Sequence, residues 1–158
     1  MKIKDKRGEG YVQVCVLIIV VCMILSVFVT FASAANVVWL TQRNSKTVLE
    51  SYVMKNSIRI YNSIKQGTNE TDAIDAGEYV NDLTSFCTFN KIRDRLYHYD
   101  GDGNVDYYIS EPTVRFAERN KLKLIVTYTT YVPIYFAGTQ VTTATIPVTV
   151  KLNLEGKF

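Results

Sequence analysis

Residues 14–35 read VCVLIIVVCMILSVFVTFASAA, a run of 22 residues without a charged side chain. An α-helix rises about 1.5 Å per residue, so roughly 20 apolar residues cross the hydrocarbon core of a bilayer. The run is therefore predicted to be one membrane-spanning helix. Basic residues precede it and favour a cytoplasmic N-terminus, which places residues 36–158 outside the cell. We expect a single-pass protein of the cell membrane.

The remainder of the chain has room for one small domain. The protein has 158 residues and a formal net charge of +3, so about 120 residues lie outside the apolar run and its leader. The sequence has no basic stripe of the kind that binds nucleic acid, and no nucleic-acid partner is expected. Cys15 and Cys22 lie within the apolar run, and Cys87 is the only cysteine beyond it. The exported part is thus expected to fold without an internal disulfide.

A helical pattern continues beyond the apolar run. Residues 36–66 contain no glycine or proline, their apolar side chains recur every three or four positions, and Gly67 follows as a stop. We therefore predict one helix over about 11–66, apolar on all sides at first and amphipathic afterwards. A second, short helix is predicted over 71–85, with Thr71 as its N-cap.

Apolar and polar residues then alternate with period two, which predicts strands. Four segments show this alternation: 93–99, 105–110, 122–134 and 141–154. The first two flank an Asp-Gly-Asp-Gly-Asn turn and predict a hairpin. Pro147 cannot donate a hydrogen bond to a neighbouring strand, so the last strand is expected at a sheet edge or bulged near 143–147. The predicted fold class is α+β, with a long membrane-spanning N-terminal helix, a short second helix and an antiparallel sheet of about four strands.

The junction before the apolar run resembles the processing site of type IV pilin-like proteins. Its residues are Arg7-Gly8-Glu9-Gly10-Tyr11-Val12-Gln13. In that family a prepilin peptidase cuts after the glycine that ends a short basic leader. The new N-terminus then begins a helix that is first a membrane anchor and later the core of a filament. The resemblance implies a leader 1–8, a cut between Gly8 and Glu9, a helix 9–66 with its transmembrane part at 14–35, and an extracellular domain 67–158, in the lollipop shape of pilins.

Within the family, the chain most resembles TadE-like minor pseudopilins and proteins of Firmicutes conjugative elements with an Arg-Gly-Glu-Gly-Tyr start. This likeness implies a structural subunit of a secretion, adhesion or conjugation apparatus. Its partners would be the membrane, a prepilin peptidase, other pilin-like subunits and, indirectly, an assembly ATPase and a platform protein. The assembly helix would begin with Gln13, Val14, Cys15 and Cys22. The family usually has Glu at the fifth processed position, where it pairs with a neighbour's terminal amine; the neutral amide of Gln13 gives a weaker contact.

Two other interpretations of the N-terminal region stay open. Ala32-Ser33-Ala34 fits the small-x-small rule for signal-peptide cleavage, which would release a secreted domain. An uncleaved signal anchor needs no motif at all. Either case would make the protein an extracellular binding module, secreted or membrane-tethered, with no role in a pilus.

Five side chains have the spacing of ligands in a twelve-residue calcium loop: Asp100, Asp102, Asn104, Asp106 and Glu111. The sixth place of such a loop requires glycine, but Val105 stands there, and the flanking segments are predicted strands. The alternative is a hairpin turn in which Asp and Asn side chains bond the local backbone. Calcium is the only cofactor that the sequence suggests.

The sequence contains no pattern that indicates catalysis. A Gly-rich phosphate loop, a catalytic carboxylate pair and a Cys/His cluster are all missing, so an enzyme is not expected. The single histidine, His98, is predicted to be a half-exposed strand residue. Tyrosine is abundant, with 11 in the chain. Packing on the sheet is one interpretation of them, and an outer face that contacts a partner is the other.

Overall fold

The computed structural model describes residues 7–66, 74–117, 120–136 and 139–154. The chain divides into two compact units, residues 1–35 and residues 36–158. Helix α1 (Arg7–Lys55) contributes residues to both units, and every other helix and strand belongs to the second. The predicted α+β class is confirmed.

Helix α1 is apolar on every side within the first unit. All of its large apolar side chains between Tyr11 and Phe31 are exposed, with exposed fractions of 47% or more. A helix of this kind is stable only when lipid or other apolar surfaces surround it. By length and composition α1 can cross a membrane once, which is compatible with the predicted single-pass arrangement.

In the second unit, α1 is amphipathic. One face of it is buried, and the buried side chains recur every three or four residues: Thr41, Ser45, Val48, Leu49, Tyr52 and Val53. The change from an apolar to an amphipathic surface occurs within one helix, as predicted.

The predicted single helix over 11–66 is interrupted at Asn56, and α2 (Ser57–Gln66) begins at the next residue. The Asn56 side chain donates to the Tyr52 carbonyl oxygen at 3.2 Å and to Glu78 Oε2 at 3.3 Å. The Tyr52 carbonyl also accepts the backbone N–H of Asn56 at 3.0 Å. The Asn56 carbonyl in turn accepts the Ile60 N–H at 3.0 Å, so the helical hydrogen bonds of the Asn56 backbone persist where α1 passes into α2. The end at Gln66 is as predicted, and Gly67 lies outside the described residues.

Helix α3 (Ala76–Phe86) begins later than predicted. Its N-cap is Asp75, whose Oδ1 accepts the Glu78 N–H at 3.1 Å. The two residues before Ala76 are not helical, and Thr71 lies outside the described residues. Both Thr and Asp cap helices well, so the sequence left more than one acceptable start. The buried face of α3 consists of Tyr79, Val80 and Leu83.

One antiparallel sheet of six strands follows α3. The strands are β1 (Asn90–Ile92), β2 (Arg95–Tyr99), β3 (Val105–Ser110), β4 (Thr113–Ala117), β5 (Asn120–Phe136) and β6 (Thr139–Asn153). Their order is β1-β2-β3-β5-β4, and β6 pairs with β5. The count exceeds the predicted four because β1 and β4, of three and five residues, are too short for a periodic pattern.

Strands β3 and β4 follow each other along the same edge of β5. β3 pairs with β5 near Tyr131, and β4 pairs with it from Thr127 onward. Between them, the Thr129 N–H donates to Ser110 Oγ at 2.9 Å. Pro112 has no N–H to offer β5, so the chain leaves the ladder there and returns as β4.

Strand β6 pairs with β5 alone among the described strands, which confirms its predicted edge position. Pro147 is opposite Thr129. Because the Thr129 N–H points toward β3, this is a pair without mutual hydrogen bonds, and the Pro147 nitrogen faces the open edge. The register shift of the pair lies between Ile134 and Tyr135, not near 143–147.

One face of the sheet is buried. Alternate residues of the two long strands supply most of it: Leu124, Val126, Tyr128, Thr130, Val132, Val148, Val150 and Leu152. The Tyr128 hydroxyl lies beside Thr41 and Ser45 of α1 without a hydrogen bond of full geometry. Burial raises the pKa of Tyr128 to about 12. The core of the second unit thus lies between α1 and the sheet and contains several buried hydroxyls.

Candidate functional site

The predicted processing junction lies in the first turn of α1. The helix begins at Arg7, so the bond between Gly8 and Glu9 is in helical backbone. Residues 1–6 and the side chain of Glu9 lie outside the described part of the chain. A Cβ atom added to Gly10 would meet open space. Cleavage after Gly8 stays a prediction of the sequence.

The predicted assembly residues lie on the surface of α1. Gln13, Val14, Cys15 and Cys22 are all exposed. The two cysteines are seven positions apart, which is close to two helical turns, so both thiols lie on the same side of the helix. These residues are available to lipid or to a neighbouring helix.

The Asp-Gly-Asp-Gly-Asn segment forms a tight turn between β2 and β3. Asp100 Oδ1 accepts the N–H of Asp102 at 3.0 Å and that of Asn104 at 2.8 Å. Gly103 adopts a positive φ of 83°. Hydrogen bonds from the backbone, above all from Asn104, hold the pKa of Asp100 below its ordinary value. The interpretation of this segment as a turn is confirmed.

Glu111 does not join that turn. Strand β3 separates the two, and Glu111 Oε1 lies 2.7 Å from Lys91 Nζ. Among residues 7–66, 74–117, 120–136 and 139–154, no three His, Cys, Asp or Glu side chains form a group that could hold a metal ion. The five predicted calcium ligands are therefore not brought together, because a strand takes the place of the second half of the loop. Calcium binding by the turn itself stays a prediction.

His98 has a packing role on the core side of β2. Its ring stacks on Tyr107 at a centroid distance of 4.7 Å and meets the Phe89 ring edge-on at 6.2 Å. Its Nδ1 lies 3.4 Å from Asp106 Oδ2. The side chain is half-buried, as predicted for this strand position.

The opposite face of the sheet carries a row of stacked tyrosines. Tyr97, Tyr108 and Tyr131 are neighbours on β2, β3 and β5, and we call them the tyrosine row. The ring centroids of Tyr97 and Tyr108 are 5.0 Å apart, and those of Tyr108 and Tyr131 are 4.8 Å apart. The ring planes differ by 26° and 11°, so the rings stack face to face. All three side chains are half-exposed.

Arg95 covers part of the tyrosine row. Its Cζ lies 5.2 Å from the ring centroid of Tyr108 and 5.5 Å from that of Tyr131, within cation–π range. A hydrogen bond with Tyr97 raises the pKa of the guanidinium. A permanent positive charge on an aromatic platform is a combination that protein interfaces favour.

Sequence reasoning found the tyrosines but not the row. The row depends on strand register, which places Tyr97 opposite Tyr108 and Tyr108 opposite Tyr131. One signal in the sequence could have pointed to an aromatic face. Side chains alternate between the two faces of a strand, so Arg95, Tyr97 and Tyr99 lie on one face of β2. Tyr107 and Tyr128, in contrast, pack in the core.

Comparisons with protein-family models, with curated proteins and with solved structures found no match to this chain. The likeness to pilin-like proteins therefore rests on the junction at residues 7–13 and on the architecture. The functional proposal below is argued from these residues.

Proposed function

We propose that this protein is a membrane-anchored, pilin-like structural subunit of a secretion, adhesion or conjugation apparatus, with its leader removed after Gly8. The observation that carries the proposal is the dual character of α1. The same helix supplies an apolar surface over Tyr11–Phe31 and part of the domain core from Thr41 to Val53. A simple tether requires no such continuity, whereas a filament subunit uses one helix for both purposes.

The mechanism follows from the charge and hydrophobicity of α1. The basic leader would stay in the cytoplasm, where a prepilin peptidase would remove residues 1–8. Glu9 would then be the new N-terminus, with Gln13 at the fifth position. An assembly ATPase and a platform protein would extract the subunit from the membrane. Side-by-side packing of copies would bury the exposed apolar side chains of residues 14–35 and hold the filament together.

N-terminal sequencing of the protein from membranes of its own source tests the proposal. A start at Glu9 supports it. A start at Ala35 would show a secreted domain, and an intact Met1 would show an uncleaved anchor; either result overturns it. Gly8→Leu should abolish the Glu9 start. Gly10→Leu is the matched control, because space around Gly10 is open, and it should leave the Glu9 start in place.

The half-exposed tyrosine row favours a second candidate function, a membrane-tethered or secreted extracellular binding module. In that case the row and Arg95 would be the contact surface for another protein. Replacing Tyr108 with alanine should then abolish binding of that protein, while the N-terminus remains at Met1 or Ala35. Calcium stabilisation of the module would appear as a higher unfolding temperature on calcium addition, and Asp102→Asn should remove that shift.

A further inference from the structure

The turn between β2 and β3 gives one end of the sheet a negative charge. Asp100, Asp102 and Asp106 are exposed there, and we call them the acidic end. Residues 96–114 contain no lysine or arginine. Arg95 is at the far end of the hairpin, opposite Ser110, and His98 Nδ1 lies 3.4 Å from Asp106 Oδ2. No lysine or arginine of the hairpin therefore lies beside the turn.

Strands β4, β5 and β6 give the sheet a cluster of positive charge. Arg115 and Lys151 are both opposite Ile125, one on each side of β5. Lys123 lies two residues further along β5, on the same face. All three cations are exposed, and we call them the basic end. The described residues of β4, β5 and β6 include no Asp or Glu.

The acidic and basic ends lie at opposite ends of the sheet. β3 meets β5 at Tyr131, and the acidic turn precedes β3, so it lies beyond Tyr131 toward the end of β5. The basic end is centred on Ile125, six residues away in the other direction. Six residues of strand span about 20 Å, so side chains of the two ends cannot meet within one copy.

We propose that copies of this protein associate end to end, with the acidic end of one copy on the basic end of the next. The inference rests on the proposed function, for which it supplies the contact between the exported domains. The surface that receives the next copy is the uncovered sheet face around Lys123 and Lys151. Charge complementarity identifies the occupant, because the matching carboxylates are on the same chain.

The geometry of this contact leads to open assemblies. Two different surfaces meet, so every copy keeps one free acidic end and one free basic end. Exposed ion pairs contribute little individually and are screened by salt. The contact is therefore weak between free domains, and it gains strength when α1 helices already hold neighbouring copies close together.

Carbodiimide cross-linking of the full chain in its own membranes tests the contact directly, because this reagent joins a carboxylate to an amine without a spacer. We expect peptides that link Asp102 to Lys151 or to Lys123. A mixture of ¹⁵N-labelled and unlabelled chains should give links of mixed isotope content. Absence of these peptides, or links confined to one isotope, would overturn the proposal.

Charge reversal provides a test that does not depend on cross-linking chemistry. Lys123→Glu/Lys151→Glu makes both ends acidic, and Asp102→Lys/Asp106→Lys makes both basic. For the full chain in detergent, sedimentation should show roughly tenfold less association of either variant alone. An equimolar mixture of the two should recover the wild-type value. A monomeric wild type, wild-type association by either variant alone, or no recovery in the mixture would each contradict end-to-end contact.

Lys46→Glu/Lys65→Glu is the matched control. Both lysines are exposed on the helices, so the net charge changes by the same amount away from the sheet, and association should be unchanged. An anionic lipid or polymer as the true partner of the basic end would leave Asp102→Lys/Asp106→Lys without effect, which also overturns the proposal. A Glu9 start without end-to-end association would remove this inference and leave the proposed function standing. Association together with an intact Met1 would remove the proposed function and leave the end-to-end contact standing.

Discussion

The hydroxyl groups of Ser45 and Tyr79 lie 2.6 Å apart in the core and join α1 to α3 across 34 positions of the sequence. The Tyr79 hydroxyl also lies 3.2 Å from the Ser45 carbonyl oxygen, to which it can donate. Burial raises the pKa of Tyr79 well above its ordinary value, so the phenol keeps its proton at any physiological pH. This contact fixes the position of α3 on the amphipathic part of α1.

Removal of the Tyr79 hydroxyl should therefore destabilise the domain. Tyr79→Phe leaves the buried Ser45 hydroxyl without its partner, and we expect the free energy of unfolding to fall by about 1–2 kcal/mol. Chemical denaturation of the full chain in detergent measures this. Tyr135→Phe is the control, because Tyr135 is 50% exposed. Equal losses from the two substitutions would show that the Ser45 contact has no special value.

The Thr130 hydroxyl is a site at which a substitution should increase stability. Thr130 is fully buried, and its Oγ1 has no hydrogen-bond partner among the described residues. Thr130→Val keeps the shape of the side chain and removes the unsatisfied group, so we expect about 1 kcal/mol of added stability. Thr127→Val, on the other face of β5, should change stability little. A loss of stability in Thr130→Val would indicate a buried water molecule bound to this hydroxyl.

Two glycines of the β2–β3 turn should respond differently to the same substitution. A Cβ atom meets nothing within 4 Å at Gly101 or at Gly103, but Gly103 alone has a positive φ, of 83°. Gly103→Ala should therefore cost about 1 kcal/mol of stability through backbone strain. Gly101→Ala should be neutral or slightly stabilising, because it lowers the entropy of the unfolded chain. Thermal unfolding of both variants measures the difference, and equal shifts would contradict the assigned turn geometry.

Glu78 should make stability depend on pH in the acid range. Its Oε1 lies 2.8 Å from Lys55 Nζ, and its Oε2 lies 3.5 Å from the Arg59 guanidinium. The hydrogen bond from Lys55, above all, holds the pKa of Glu78 below its ordinary 4.5. A lower pKa in the folded state adds stability above the unfolded-state value, and this stability is lost as the pH falls through the folded-state value.

We therefore expect Glu78→Gln to be less stable than the wild type at neutral pH, by less than about 1 kcal/mol. The difference should shrink as the pH falls below the unfolded-state pKa of Glu78 and disappear below its lower folded-state pKa. Unfolding curves at a series of pH values test this. Glu50→Gln, on α1, provides a comparison. A difference that persists in acid would show that packing of the Glu78 side chain, and not its charge, is responsible.

The parts of the fold that have long periodic patterns could be predicted from the sequence. Each of these parts has a strong local pattern. Residues 14–35 are predominantly apolar and uncharged, the two long strands alternate apolar and polar side chains, and the β2–β3 turn concentrates Asp, Gly and Asn. The missed parts depend on contacts between distant residues. The Asn56 side chain, at the passage from α1 to α2, contacts Glu78 on α3, and the short strand β4 is defined by its pairing with β5.

The candidate sites divide in the same way. The processing junction is a short motif and could be proposed from sequence. The residues of the tyrosine row and of the basic end are brought together only by the pairing register of neighbouring strands. Arg115 and Lys151 are 36 positions apart in the numbering of the chain, and only the ladders on the two sides of β5 place both opposite Ile125. The calcium prediction shows that spacing along the chain is not sufficient to predict a site. Glu111 has the spacing of a calcium ligand, but strand β3 keeps it away from the turn.

Pro147 on the open edge of β6 has a consequence for solubility. Residues 139–150 carry no charged side chain, and an uncharged edge strand rich in β-branched residues is a template for amyloid-like stacking. The missing N–H of Pro147 breaks the row of edge donors near its middle, so a foreign strand cannot extend the ladder along the whole of β6. Pro147 thereby acts as a gatekeeper residue that limits aggregation through the edge of the sheet.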